Sequence, residues 1–165
     1  MKHRMLLLSL IFLAPSFAAS AGVVRHKIPN SNFPIAAAVE VPAGRTTVYL
    51  SGAVPPVANA DESADSIAAY GNTEAQTVAV LGRIKAQLEG LGLTMGDVVK
   101  MQVFLVGDPD NDGRMDFAGF MKGYSQFFGT EQQPNLPARS TMQVAALANP
   151  GFLVEIEVTA VRPGG

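Results

Sequence analysis

TEAQTVAVLGRIKAQLEGLGLTMGDVVKMQVFLV, residues 73–106, holds the two periodicities that decide the fold. Val78, Leu81, Ile84, Leu88 and Leu91 recur at helical spacing and lay one apolar stripe along a helix. Thr73-Glu74-Ala75-Gln76 reads as a capping box, with Thr73 accepting from the Gln76 amide and Gln76 reaching back. Gly90 and Gly92 end the helix. From Val98 to Val106 the period changes to two, with Val99, Met101, Val103 and Leu105 on one face of a strand. A one-striped helix followed at once by a one-faced strand predicts a helix packed on a sheet, an α+β arrangement.

The flanking sequence extends this reading in both directions. Val23–Ile28 and Ala36–Val41 read as short strands separated by the Pro29–Pro34 segment, and Thr46–Leu50 as a third that ends at Ser51-Gly52. Pro55–Asn72, rich in Pro, Ala, Asp and Ser, reads as an exposed loop. Downstream, Phe117, Phe120, Met121, Tyr124, Phe127 and Phe128 mark a second amphipathic helix stopped by Gly129. Ala138–Ala146 and Phe152–Val161 are two further strands joined by an Asn149-Pro150-Gly151 turn. The element order is βββ-α-β-α-ββ, which places two helices on one face of a mixed sheet. The other face then needs cover, and with no third helix to supply it, neighbouring subunits are expected to do so.

Composition bounds what such a domain can be. Hydrophobic residues make up 48% of the 165 and charged residues 16%, a balance that folds rather than stays disordered. Lys2, His3 and Arg4 precede a short apolar run, Met5–Leu13, and small residues ending in Ala19-Ser20-Ala21. This is the pattern of a cleaved signal peptide over residues 1–21, leaving 22–165 as a single periplasmic or secreted domain. The apolar run is too short for a permanent membrane anchor. Cleavage removes two of twelve basic residues and none of fourteen acidic ones, so the mature charge is −4. That acidity argues against nucleic acid as a partner. With no Cys there is no disulfide, no zinc-thiolate site and no thiol nucleophile.

Several blocks carry a resemblance. Pro137-Ala138-Arg139-Ser140-Thr141-Met142-Gln143-Val144-Ala145-Ala146-Leu147 is followed by Val154-Glu155-Ile156-Glu157-Val158-Thr159-Ala160-Val161. Upstream stand Val48–Pro55, Glu74-Ala75-Gln76-Thr77, Asp97-Val98-Val99-Lys100 and Tyr124-Ser125-Gln126-Phe127-Phe128. In this order they resemble the RidA/YjgF family of reactive-intermediate imine deaminases across nearly all of the mature chain. The resemblance implies a chorismate-mutase-like α+β fold and a homotrimer with ligand clefts between subunits. It also implies hydrolysis of small enamines and imines of the 2-aminoacrylate type to a 2-keto acid and ammonia, with no metal or organic cofactor. Arg139 would hold the substrate carboxylate, a task suited to a guanidinium that forms two parallel bonds and stays charged. Glu155 would position or activate the attacking water. Ser51, Gly52 and the backbone around Thr141 would line the cleft. Where active members commonly carry Tyr after the Pro of an N-terminal segment, this chain has Ile35 after Pro34.

Each candidate has a plainer counterpart. Arg139 could form an interface ion pair, and Glu155 and Glu157, alternating with Val154, Ile156 and Val158, could form a solvated edge or an intersubunit salt bridge. A hairpin turn at Asn149–Gly151 would set Val144 opposite Glu155, so Arg139 and Glu155 could share a cleft only through twist or a neighbouring subunit. His26, the one histidine of the mature chain, has no nucleophile motif near it. Asp108–Asp116 begins like a calcium loop, but its twelfth position is Gly119 and Pro109 interrupts it, so it reads as an acidic turn capping the next helix. Two other functions fit the same fold: a non-catalytic trimer binding small carboxylates or unfolded clients, and a chorismate-mutase-type enzyme, for which Arg139 alone is thin support.

Overall fold

The alternation of residues 98–106 builds a central strand with the limits its pattern predicts. A computed structural model describes residues 22–164. The expected signal peptide, residues 1–21, lies outside the described residues. The elements are β1 (Val24–Lys27), β2 (Ala36–Glu40), β3 (Thr47–Ala53), α1 (Thr73–Gly90), β4 (Val98–Val106), α2 (Phe117–Tyr124), β5 (Ala138–Val144) and β6 (Val154–Val161). The strands form one six-stranded sheet in the order β1-β2-β5-β4-β6-β3. The expected mixed sheet with two helices is what the chain forms.

The join between β5 and β6 differs from a hairpin. β4 lies between them, parallel to β5 and antiparallel to β6. The turn at Asn149 is real, since Gly151 N–H donates to its side chain at 2.7 Å and Phe152 N–H to its carbonyl at 3.0 Å. Its other contacts send the chain elsewhere. The Asn149 amide donates to the Ala64 carbonyl at 3.0 Å, and Gly151 packs so closely on Ser66 and Tyr70 that no side chain fits there. The turn therefore carries the chain across β4 instead of back onto β5.

The start of α1 is also corrected. Asn72, not Thr73, is the N-cap, accepting from Ala75 N–H at 3.0 Å. Gln76 is fully buried and serves tertiary structure: its amide donates to the Gly71 and Gly151 carbonyls, each at 2.9 Å, and accepts from Leu153 N–H at 2.7 Å. This satisfied amide ties the helix start to the chain just before β6. The buried face of α1 runs through Gln76, Thr77, Val80, Leu81, Ile84 and Leu88, while Leu91 is exposed. α2 stops at Tyr124, earlier than expected, and Phe128 reaches the core from the turn that follows. Asp116 caps α2 by accepting from Gly119 N–H at 2.8 Å, and Asp108 accepts from Asp110 N–H at 2.9 Å. The acidic segment is thus a pair of caps, as its sequence suggests.

The core sits between α1, α2 and one sheet face. Met101, Val103 and Leu105 of β4 and Val154, Ile156 and Val158 of β6 meet Leu81, Ile84, Leu88, Phe120 and Tyr124. Each such large side chain contributes about 1.5–3 kcal/mol on burial. Lys100, Gln102 and Phe104 alternate with the core residues of β4 and stand on the opposite face. Among the described residues, no helix is long and apolar enough to cross a membrane.

Candidate functional site

Strand register divides the expected site residues into two groups. Arg139 pairs with Met101 and Thr141 with Val103, both core residues, so these two side chains share the helix-covered face. Glu155 pairs with Phe104 and therefore stands on the open face. The three-residue offset along β4 makes the separation one of faces, not merely of distance. Within one chain the structure does not bring Arg139 and Glu155 together.

Gly52 lies against Glu155, with Ser51 beside it in β3. The β3–β6 register slips between Leu50 and Ala53, which turns both residues out of the core row. A side chain at Gly52 would collide with the Glu155 carboxylate, so this glycine is what lets the acid lie against the β3 backbone. Ser51 lines a neighbouring groove of about 330 Å³ with Tyr49, Lys100, Gln102 and Glu157. Lys100 Nζ lies 3.3 Å from Ser140 Oγ on the same face.

Arg139 has a setting that its strand alone does not foretell. Its guanidinium carbon lies 4.3 Å from the Tyr124 ring centre, 4.9 Å from Phe120, 5.5 Å from Phe33 and 6.0 Å from Phe117. These rings offset part of the cost of burying the cation. Its Nη2 lies 3.3 Å from the Met121 sulfur. Burial pulls the guanidinium below its ordinary pKa, while the neighbouring Tyr124 opposes that shift. Burial in turn pushes the Tyr124 phenol up to about 12, and its O–H donates to the Pro34 carbonyl at 2.8 Å. Two polar atoms here lack partners: Arg139 Nη1 and Thr141 Oγ1 are both buried with no hydrogen bond. A buried unpaired donor is costly, and two of them on one face of β5 mark a place for an acceptor.

Phe33 and the α2 aromatics around Arg139 were not singled out from sequence as site residues. Their helical spacing at 117, 120 and 124 shows an apolar face, but nothing local shows that the face receives a cation. Phe33, 40% exposed, covers the guanidinium from the segment before β2.

A mixed sheet backed by two helices is the architecture of the YjgF-like α+β proteins. The chain belongs to that family: the model described as endoribonuclease L-PSP matches residues 34–162. A RutC family protein of Haemophilus influenzae is 43% identical over 88 residues, which cover 53% of this chain and 62% of that protein. The 2-iminobutanoate/2-iminopropanoate deaminase of Escherichia coli is 42% identical over 88 residues, with coverage of 53% and 62%. The chain thus matches less than two thirds of the length of these two relatives. The structure of E. coli TdcF with bound serine superposes with a TM-score of 0.56 at 33% identity, covering 74% of this chain and 85% of that one.

Proposed function

We propose that this protein hydrolyses small carboxylate-bearing imines or enamines to 2-keto acids and ammonia, in clefts between the subunits of a homotrimer. The observation that carries this reading is the pair of unpartnered buried donors, Arg139 Nη1 and Thr141 Oγ1, on one strand face. A substrate carboxylate accepting from both would relieve two desolvated groups at once. The similarity to an E. coli imine deaminase and to a serine-bound relative supports a small amino- or imino-acid ligand.

The chemistry needs little else. Water adds to the C=N carbon while Glu155 takes its proton and passes it to the imine nitrogen. The resulting carbinolamine expels ammonia as the C=O forms, with Glu155 carrying the hydroxyl proton to the departing nitrogen. Because Arg139 and Glu155 occupy opposite sheet faces of one chain, the cleft takes Arg139 and Thr141 from one subunit. Ser51, Gly52 and Glu155 come from a neighbour. The test is 2-keto acid release from enzymatically generated 2-iminopropanoate. Wild-type protein accelerates it, and Arg139→Ala lowers the rate at least about a hundredfold, the order expected for loss of a substrate-positioning clamp. Equal rates for both proteins would remove the assignment.

A second reading is a non-catalytic carboxylate-binding trimer. Phe33 over the guanidinium and Ile35 after Pro34 favour it. Binding that depends on Arg139 without turnover would establish it. The protein acts outside the cytoplasm in either case, after cleavage behind Ala21. Gly22 as the N-terminal residue of protein recovered from the periplasm or medium is the expected result, and an intact Met1 start would contradict it.

A further inference from the structure

The donors around Arg139 are shut away from any ligand. Arg139 Nη1 and Thr141 Oγ1 are both buried, so a carboxylate cannot touch either while the chain keeps this arrangement. A neighbouring subunit can only add cover. Part of the cage must therefore move before the site binds, and the four rings around the guanidinium differ in their freedom to do so. Phe120 and Tyr124 are fully buried in α2 and belong to the core. Phe117 opens the same helix. Phe33 alone lies outside helix and strand, and it is 40% exposed.

The segment that carries Phe33 is anchored at both ends. Upstream, Lys27 closes β1. Downstream, the Pro34 carbonyl accepts from the Tyr124 O–H at 2.8 Å, and Ala36 N–H donates to the Pro137 carbonyl at 3.0 Å. Between these anchors, Phe33 N–H donates to Ser31 Oγ at 3.1 Å and its carbonyl accepts from Ile35 N–H at 2.8 Å. Both bonds stay within the segment, so they can travel with the ring. Asn30 turns the chain at a positive φ of 55°, a conformation that Asn tolerates. Beside the ring lies a groove of about 180 Å³ walled in part by Ile28, Ile35 and Leu136. It offers an apolar seat to a phenyl ring that leaves the guanidinium, which keeps the cost of opening small.

We infer that Phe33 is a gate on the carboxylate site. Its ring, 5.5 Å from the guanidinium carbon and stacked 6.4 Å from Phe117, covers Arg139 and swings aside to admit the ligand. The inference rests on Arg139 as the carboxylate clamp. A gate of this kind lowers affinity, because apparent binding is reduced by the fraction of molecules that stand open. A ring that merely braced the arginine would do the opposite, and its loss would weaken binding. The two roles therefore give opposite signs for one substitution.

Titration calorimetry of the purified protein with pyruvate, the 2-keto acid expected from 2-iminopropanoate, reads that sign. Phe33→Ala should bind pyruvate at least about tenfold more tightly than wild type, as follows when an open state held by about a tenth of molecules or fewer becomes the rule. Arg139→Ala should abolish binding in both backgrounds. Unchanged or weaker binding in Phe33→Ala, with dependence on Arg139 retained, overturns the gate and leaves the clamp standing. Binding that ignores Arg139, or none in any variant, removes the clamp and the gate with it. Circular dichroism melts show that each variant folds, and Phe33→Val carries the test if Phe33→Ala does not. Phenylglyoxal modification, located by peptide mass, gives a readout that needs no ligand. Arg139 should react at least about tenfold faster in Phe33→Ala than in wild type, while the exposed Arg114 reacts equally in both. Equal rates at Arg139 would also overturn the gate.

Discussion

At the scale of single residues, the aromatic setting of Arg139 links stability to pH. The Tyr124 phenol is pushed from 10.0 to about 12, mainly by burial. A folded-state pKa above the unfolded one means the folded chain keeps a proton that the unfolded chain loses, so stability falls as pH rises from about 10 to 12. A shift of that size corresponds to about 2–3 kcal/mol. Denaturant titrations at pH 9 and pH 12 should show this loss in the wild type and a smaller one in Tyr124→Phe. Equal losses would mean that other groups set the alkaline limit. The two halves of the candidate site were legible to different degrees. Glu155 and Glu157 reveal their open-face position by alternating with Val154, Ile156 and Val158. The cage around Arg139 has no such local sign, because Phe33 and Tyr124 are 106 and 15 residues from it in sequence and meet it only through tertiary packing.

At the scale of elements, the two helices cross closely enough for one glycine to decide their spacing. A methyl group at Gly123 of α2 would lie 2.8 Å from the Thr77 side chain of α1 and 3.1 Å from the Glu74 carbonyl. Ala is the better helix former by about 1 kcal/mol, but the overlap is with a buried threonine and a helix backbone. Overpacking of this kind typically costs about 1–3 kcal/mol, so Gly123→Ala should lower the denaturation midpoint. A raised midpoint would show that the helices separate freely. β4 was readable from Lys100 to Val106 because its period of two holds there, whereas a register shift between Val98 and Lys100 puts Val98 in the core in place of the expected Val99. The β5–β6 connection was not, because Asn149-Pro150-Gly151 signals a turn without saying which strand lies beyond it. That choice is made by contacts with Ala64, Ser66 and Tyr70, far away in sequence.

At the scale of the whole molecule, the split of Arg139 and Glu155 between sheet faces makes a sharp demand on assembly. If each cleft combines faces from two copies, Arg139→Ala and Glu155→Gln subunits should complement one another. Mixing the two inactive proteins under conditions that exchange subunits should restore a fraction of wild-type imine hydrolysis. Persistent inactivity despite exchange, shown by mass spectrometry of mixed oligomers, would remove Glu155 from the reaction. The sheet order has a further consequence, in the timing of synthesis. β6 follows every other described strand in the chain, yet it occupies an interior position, hydrogen-bonded to β4 on one side and β3 on the other. A ribosome-bound chain lacking β6 would leave β3 without its sheet partner and half of β4 unzipped. The native sheet therefore closes only after nearly all of the polypeptide has emerged, which keeps the nascent chain open to whatever machinery handles it first.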